Sequence, residues 1–103
     1  MDARSNRAGG IMSVQRPTTE VETAVQLRVP RGEAGSLQDG VRAVLASIDA
    51  VRQVTVHDIG TVRPDAFDLY VDATARVELA AENPAMTLAD GFGVVTVDRC
   101  EVR

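Results

Sequence analysis

Lysine and tryptophan are both missing from this 103-residue chain, and its aromatic residues amount to two Phe and one Tyr. Without tryptophan there is no large ring on which to stack a flavin. With so few rings there is no row of aromatics on which to stack bases. The single cysteine, Cys100, and single histidine, His57, exclude an intrachain disulfide and a zinc site built within one chain. Acidic side chains outnumber basic ones 15 to 11, for a net charge of −4. That balance opposes a phosphate-tracking surface, which needs a basic patch or stripe, so nucleic acid is not an expected partner. No run approaches the roughly 18 apolar residues that a membrane helix needs, and the first residues lack the apolar core of a secretory signal. The expected setting is cytoplasmic and away from membranes. No Gly-rich phosphate loop follows a strand, RGEAG at 31–35 being too short for one. No nucleophile stands beside a base at a recognisable spacing, so neither enzymatic activity nor a cofactor nor a metal is expected.

What is present is aliphatic. Sixteen valines and a hydrophobic share of 45% suffice at this length for one core without staples, and β-branched residues favour strands. The clearest period lies in Phe67 to Leu79, FDLYVDATARVEL. Leu69, Val71, Ala73, Ala75, Val77 and Leu79 fall on one side of an extended chain, with Asp68, Tyr70, Asp72, Thr74, Arg76 and Glu78 on the other. At 3.6 residues per turn the same apolar set would scatter around a helix. A strand with one dry and one wet face is predicted.

Residues 1–20 show neither period and read as a disordered tail, leaving one domain over 21–103. Val21–Val29 alternates as a first strand, ended by Pro30 and Gly32. Ser36–Asp49 opens with Ser-x-x-Asp, a capping pattern, and repeats Leu37, Val41, Val44, Leu45 and Ile48 at helical spacing. Gly40 within it either permits close helix–sheet approach or is tolerated at a cost of about 1 kcal/mol. Val51–Ile59 is a second strand, Gly60–Ala66 a turn, and Phe67–Leu79 the third strand. Asn83 and Pro84 then start a helix of about two turns. Val94–Val102 closes the chain as a strand whose alternation fails near Arg99, at a bulge or an exposed edge.

The order β-α-β-β-α-β predicts an α+β, ferredoxin-like plait, a four-stranded antiparallel sheet with both helices on one face and the second helix short. Its core is expected from Val25, Leu27, Val41, Val44, Leu45, Ile48, Val54, Val56, Leu69, Val71, Val77 and Leu79. A hint of duplication comes from Ser36-Leu-Gln-Asp-Gly beside Thr87-Leu-Ala-Asp-Gly, and from Val54-Thr-Val beside Val95-Thr-Val.

The passage SIDAVRQVTVHDI followed by FDLYVDATA, within roughly residues 40–75, resembles ACT and RAM domains, small ligand-binding modules of this fold. The resemblance implies a regulatory site for a small molecule. The β-α-β-β start is also similar to dodecins, but those stack flavin on a tryptophan. Copper-chaperone plaits carry a Cys-x-x-Cys loop where this chain has RGEAG. Acylphosphatases of this fold use an Arg and an Asn, whereas the only asparagines here are Asn6 and Asn83.

On the wet face, Arg28, His57, Tyr70, Asp72 and Arg76 are the candidate interaction residues, with Gln26, Thr55, Thr96 and Asp98 beside them. Tyr70 or Asp72 is the expected neighbour of His57. Cross-strand Arg–Asp pairs of this kind are ordinary sheet stabilisers, but an open plait sheet also offers itself to a second subunit. Cys100, between Asp98 and Glu101, is expected to be an inert thiol whose pKa the acidic neighbours raise. The functional expectation is an oligomerising interaction module, a homodimer or higher oligomer joined through the sheet or a complex with another protein. The alternative is a small-molecule-binding domain of ACT or RAM type.

Overall fold

In the computed structural model, which describes residues 17–31 and 35–103, six elements follow one another. They are β1 (Thr19–Pro30), α1 (Leu37–Ala46), β2 (Val51–Pro64), β3 (Asp68–Leu79), α2 (Pro84–Ala89) and β4 (Val94–Val102). The sheet order is β2-β3-β1-β4 with every neighbouring pair antiparallel, which is the ferredoxin-like plait that the element order predicts. β1 and β2 run parallel to each other with β3 between them.

Most of the expected tail lies outside the described residues. Its last two positions belong to β1, because Thr19 pairs with Leu79 and Glu20 with Glu78 at the end of the central ladder. Gly32 is also outside the described residues.

Alternation in β1 and β3 does what the sequence implies. Val21, Val25, Leu27 and Val29 face Val71, Ala73, Ala75, Val77 and Leu79 on the side where Val41 and Leu45 of α1 and Leu88 of α2 complete one cluster. Four expected core residues, Val44, Ile48, Val54 and Leu69, pack against this cluster but are only partly buried. Val54 sits on an edge strand, and Val44 borders an open cleft. Leu88 is fully buried although its helix is only six residues long. One polar residue, Thr23, lies in the dry row, and its hydroxyl donates to the Arg99 carbonyl at 2.7 Å. That carbonyl adjoins a bulge, since the β1–β4 register shifts between Ala24↔Arg99 and Val25↔Val97. The broken alternation near Arg99 therefore has a backbone cause, and Thr23 satisfies the polar group beside it.

Three boundaries differ from expectation. β2 does not stop at Ile59 but continues to Pro64, with Val62 opposite Val71 and Arg63 opposite Tyr70. A register shift between Ile59 and Val62 absorbs Gly60, and the true turn is confined to Asp65–Phe67. α1 ends at Ala46, a turn short of Asp49, where the Ser47 backbone amide caps it. The repeated Leu-x-Asp-Gly motif occupies opposite helix ends. Ser36 is the N-cap of α1 and Asp39 closes its capping box, whereas Thr87 lies inside α2 and Asp90 is its C-cap. The two copies are not structurally equivalent.

Gly40 proves to be a contact glycine. A Cβ there would stand 2.7 Å from Val29 Cγ1, inside van der Waals contact. Gly40→Ala should therefore lower stability although alanine is the better helix former by about 1 kcal/mol; a urea midpoint at or above wild type would show that α1 has room to move. Val71, fully buried, gives the harsher test. An unpaired charge there costs several kcal/mol against a total of about 5–15, so Val71→Asp should abolish the cooperative thermal transition.

Candidate functional site

The wet sides of β1, β2 and β3 form an open sheet face, and the five candidate residues all lie on it. In register, Arg28 stands opposite Tyr70, Gln26 opposite Asp72 and Glu22 opposite Arg76. His57 lies on the side where alternation from Val54 and Val56 puts it, but it has no residue directly opposite on β3. The β2–β3 register shifts between Val56↔Ala75 and Asp58↔Thr74, so His57 is the extra residue of a bulge. Its partner is neither Tyr70 nor Asp72. Its Nε2 lies 3.0 Å from Glu22 Oε1, across β3.

Glu22 thereby becomes the centre of a row of charge that crosses the sheet. Arg76 Nε donates to Glu22 Oε2 at 2.8 Å, and Arg103 Nη1 donates to the same oxygen at 2.9 Å. Arg103 also lies 3.5 Å from Glu20. β1 supplies the carboxylate, while β2, β3 and the residue after β4 supply its three partners. The Arg76 hydrogen bond first, and then the nearby charges of His57 and Arg76 and the bond from Arg103, hold the Glu22 carboxyl below its ordinary value, against a smaller opposing effect of burial. The remaining candidates have partners within the chain as well. Asp72 accepts from Gln26 at 3.4 Å, and the Arg63 guanidinium lies 5.8 Å from the centre of the Tyr70 ring. These are the cross-strand pairs of a self-satisfied sheet surface.

A histidine held by a carboxylate is part of a general-base arrangement. Here the imidazole side chain is 39% exposed, and its carboxylate is shared with two guanidiniums. The hollow beside Arg76, about 120 Å³, is lined by Glu20, Gln53, Thr55 and Glu78. Among the described residues no group of three His, Cys, Asp or Glu side chains is placed to hold a metal ion, and no helix is long and apolar enough to cross a membrane. The Cys100 thiol is pushed up, as expected, but by its own partial burial and not by Asp98 and Glu101.

A larger concavity lies elsewhere, at the end of the sheet where β1 finishes. β4 begins at Val94, opposite Leu27, so Arg28, Val29 and Pro30 extend past it. Between this overhang and α1 is a cleft of about 660 Å³, bordered by Val29, Pro30, Ala43, Val44 and Phe92, with Arg28, Asp39 and Asp68 on its walls. Phe92 is 87% exposed, and the chain's other phenylalanine, Phe67, is 83% exposed. Both are tied to the end of β1. The Phe67 carbonyl accepts from Arg31 N at 3.1 Å, and the Gly93 carbonyl accepts from Arg28 N at 2.7 Å. Arg28 also places its guanidinium 5.7 Å from the centre of the Phe92 ring. Sequence reasoning missed this site. Its one visible signal was Phe92 between two glycines, outside every apolar period.

Compared with models of known families, with curated proteins and with solved structures, the chain matches none.

The charge row predicts a definite response to acid. A carboxyl whose folded pKa is depressed contributes stability above its unfolded pKa and loses it as the pH falls through the folded one. The stability gap between wild type and Glu22→Gln should thus be present above about pH 4.5 and shrink below it. Urea titrations of both proteins across that range check this, and a gap constant down through acid pH would exclude Glu22 as the source.

Proposed function

We propose that this domain works by binding and not by catalysis, as a self-associating interaction module. Its contact surface is the end of the sheet around the β1 overhang, not the open face as a whole. One observation carries this reading: the chain's only two phenylalanines both stand in solvent at the same end of the sheet, Phe92 on the border of a cleft of about 660 Å³. Isolated exposed apolar residues are commonplace, but exposed rings grouped with arginines have the composition of interface hot spots. Arg28 stacks on Phe92, and the backbone of Arg31 is bonded to that of Phe67.

The other surfaces suit association less well. On the open face Glu22, Asp72 and Arg76 already have partners, so a second subunit would have to compete with existing ion pairs and hydrogen bonds. The edge strands are interrupted: β2 shifts register against β3 at three places, and β4 against β1 at two. Bulged edges resist pairing with another strand.

A second reading, binding of a small molecule, draws support from the same cleft. Its volume lies within the range of about 300–1,000 Å³ common for ligand sites, and its lining is mainly apolar with a few charged groups. Light scattering across protein and salt concentration separates the two readings when run beside a thermal-shift screen of amino acids and nucleotides. Self-association predicts a concentration-dependent mass above that of the monomer. A strict monomer whose Tm rises by several degrees with one compound would move the assignment to the second reading, because a ligand specific for the native state must stabilise it.

A further inference from the structure

We infer that the occupant of the cleft is Phe92 of a second copy, two chains pairing about a two-fold axis with each Phe92 inserted into the other's cleft. This rests on the self-association reading above and specifies its geometry.

A two-fold interface uses one patch on both partners, so the patch must be complementary to itself. A protruding group next to a hollow that can receive it meets this condition, and that is the arrangement here. Phe92 is 87% exposed on the rim, and the cleft beside it has Val29, Pro30, Ala43 and Val44 along its wall. Its volume of about 660 Å³ leaves ample room for one benzyl side chain. Both signs of charge are also present among the residues that line it, Arg28 together with Asp39 and Asp68. A patch that carries both signs can meet a second copy of itself with opposite charges brought together.

The ring is presented on a fixed support. Gly93 has a φ of +90°, a conformation open to glycine at no steric cost. A Cβ there would meet Val44 Cγ1 at 3.0 Å and the Arg28 carbonyl at 3.4 Å. The backbone bond from Arg28 N to the Gly93 carbonyl and the Arg28 guanidinium over the ring hold Phe92 from two further directions. A ring positioned before contact loses little freedom on binding, which favours its use as an anchor.

The test uses the full chain in sedimentation velocity, with wild type, Phe92→Glu and Ala43→Arg. Both substituted side chains are exposed, so circular dichroism and Tm should stay at wild-type values. Wild type is expected to dimerise. Each variant alone should dimerise roughly 100-fold more weakly, one having lost its anchor and the other having its cleft blocked. An equal mixture of the two variants should recover a dimer, because the Ala43→Arg chain still carries Phe92 and the Phe92→Glu chain still has an open cleft. In that heterodimer the second contact joins the introduced glutamate to the introduced arginine. A merely structural role for either residue would produce no such rescue. A wild-type dimer that Phe92→Glu leaves intact, or a mixture that stays monomeric, overturns the exchange while self-association through another surface stands. Wild type that is monomeric at every concentration overturns both.

Discussion

The ladder between β1 and β3 runs through twelve consecutive residue pairs without a shift in register, from Thr19↔Leu79 to Pro30↔Asp68, and the position of nearly every other group depends on it. A side-chain period of two means that a slip of one residue would exchange the two faces completely. Such a slip would bring Glu22, Gln26, Asp72 and Arg76 under the helices and turn Val25, Leu27, Val71 and Val77 to water. The central register is therefore held by burial on one side and by the pairing of Glu22 with Arg76 on the other. β2 and β4 need no such strictness, because each has a neighbour on one side only, and all the register shifts in the sheet fall in their pairings.

One of these shifts lies at one end of the charge row. The bulge leaves His57 without a residue directly opposite on β3, and its imidazole meets Glu22 on β1. The three partners of Glu22 then come from the other three strands of the sheet, counting Arg103 just past β4. Each pair is partly exposed, and a single pair of that kind contributes little. A carboxylate held from three sides is a more constrained object, and it joins the two bulged edges at the end of the sheet where β1 begins.

The degree to which the sequence discloses this structure varies with the range of the interaction concerned. The alternation of Leu69 to Leu79 and the Ser36–Asp39 capping box are local, and both are found where the residues alone place them. Leu88 is less legible because six residues of α2 hold too few apolar positions to display a period, while its burial depends on β4 lying beneath. The five face residues could be assigned to one side of the sheet. Their partners could not, since His57 meets Glu22 across β3, whereas the bulge itself does leave a mark, because Val56 and Ile59 stand three residues apart and yet both belong to the dry side. The cleft is a tertiary object throughout, bordered by residues from β1, α1, β3 and the loop before β4.

The two ends of the sheet divide the work between them. Where β1 begins, charge closes the surface. Where it ends, small residues keep the surface open: Gly40 and Ala43 face the cleft from α1, and β4 stops before it reaches Arg28. An overhanging strand would ordinarily attract another strand to its unpaired amides. Here the Arg28 amide is already bonded to the Gly93 carbonyl. The next amide directed to that side would belong to Pro30, and proline has no N–H to offer. With its backbone donors removed, the overhang is left to make contacts through side chains, and the side chain that stands furthest into solvent beside it is Phe92.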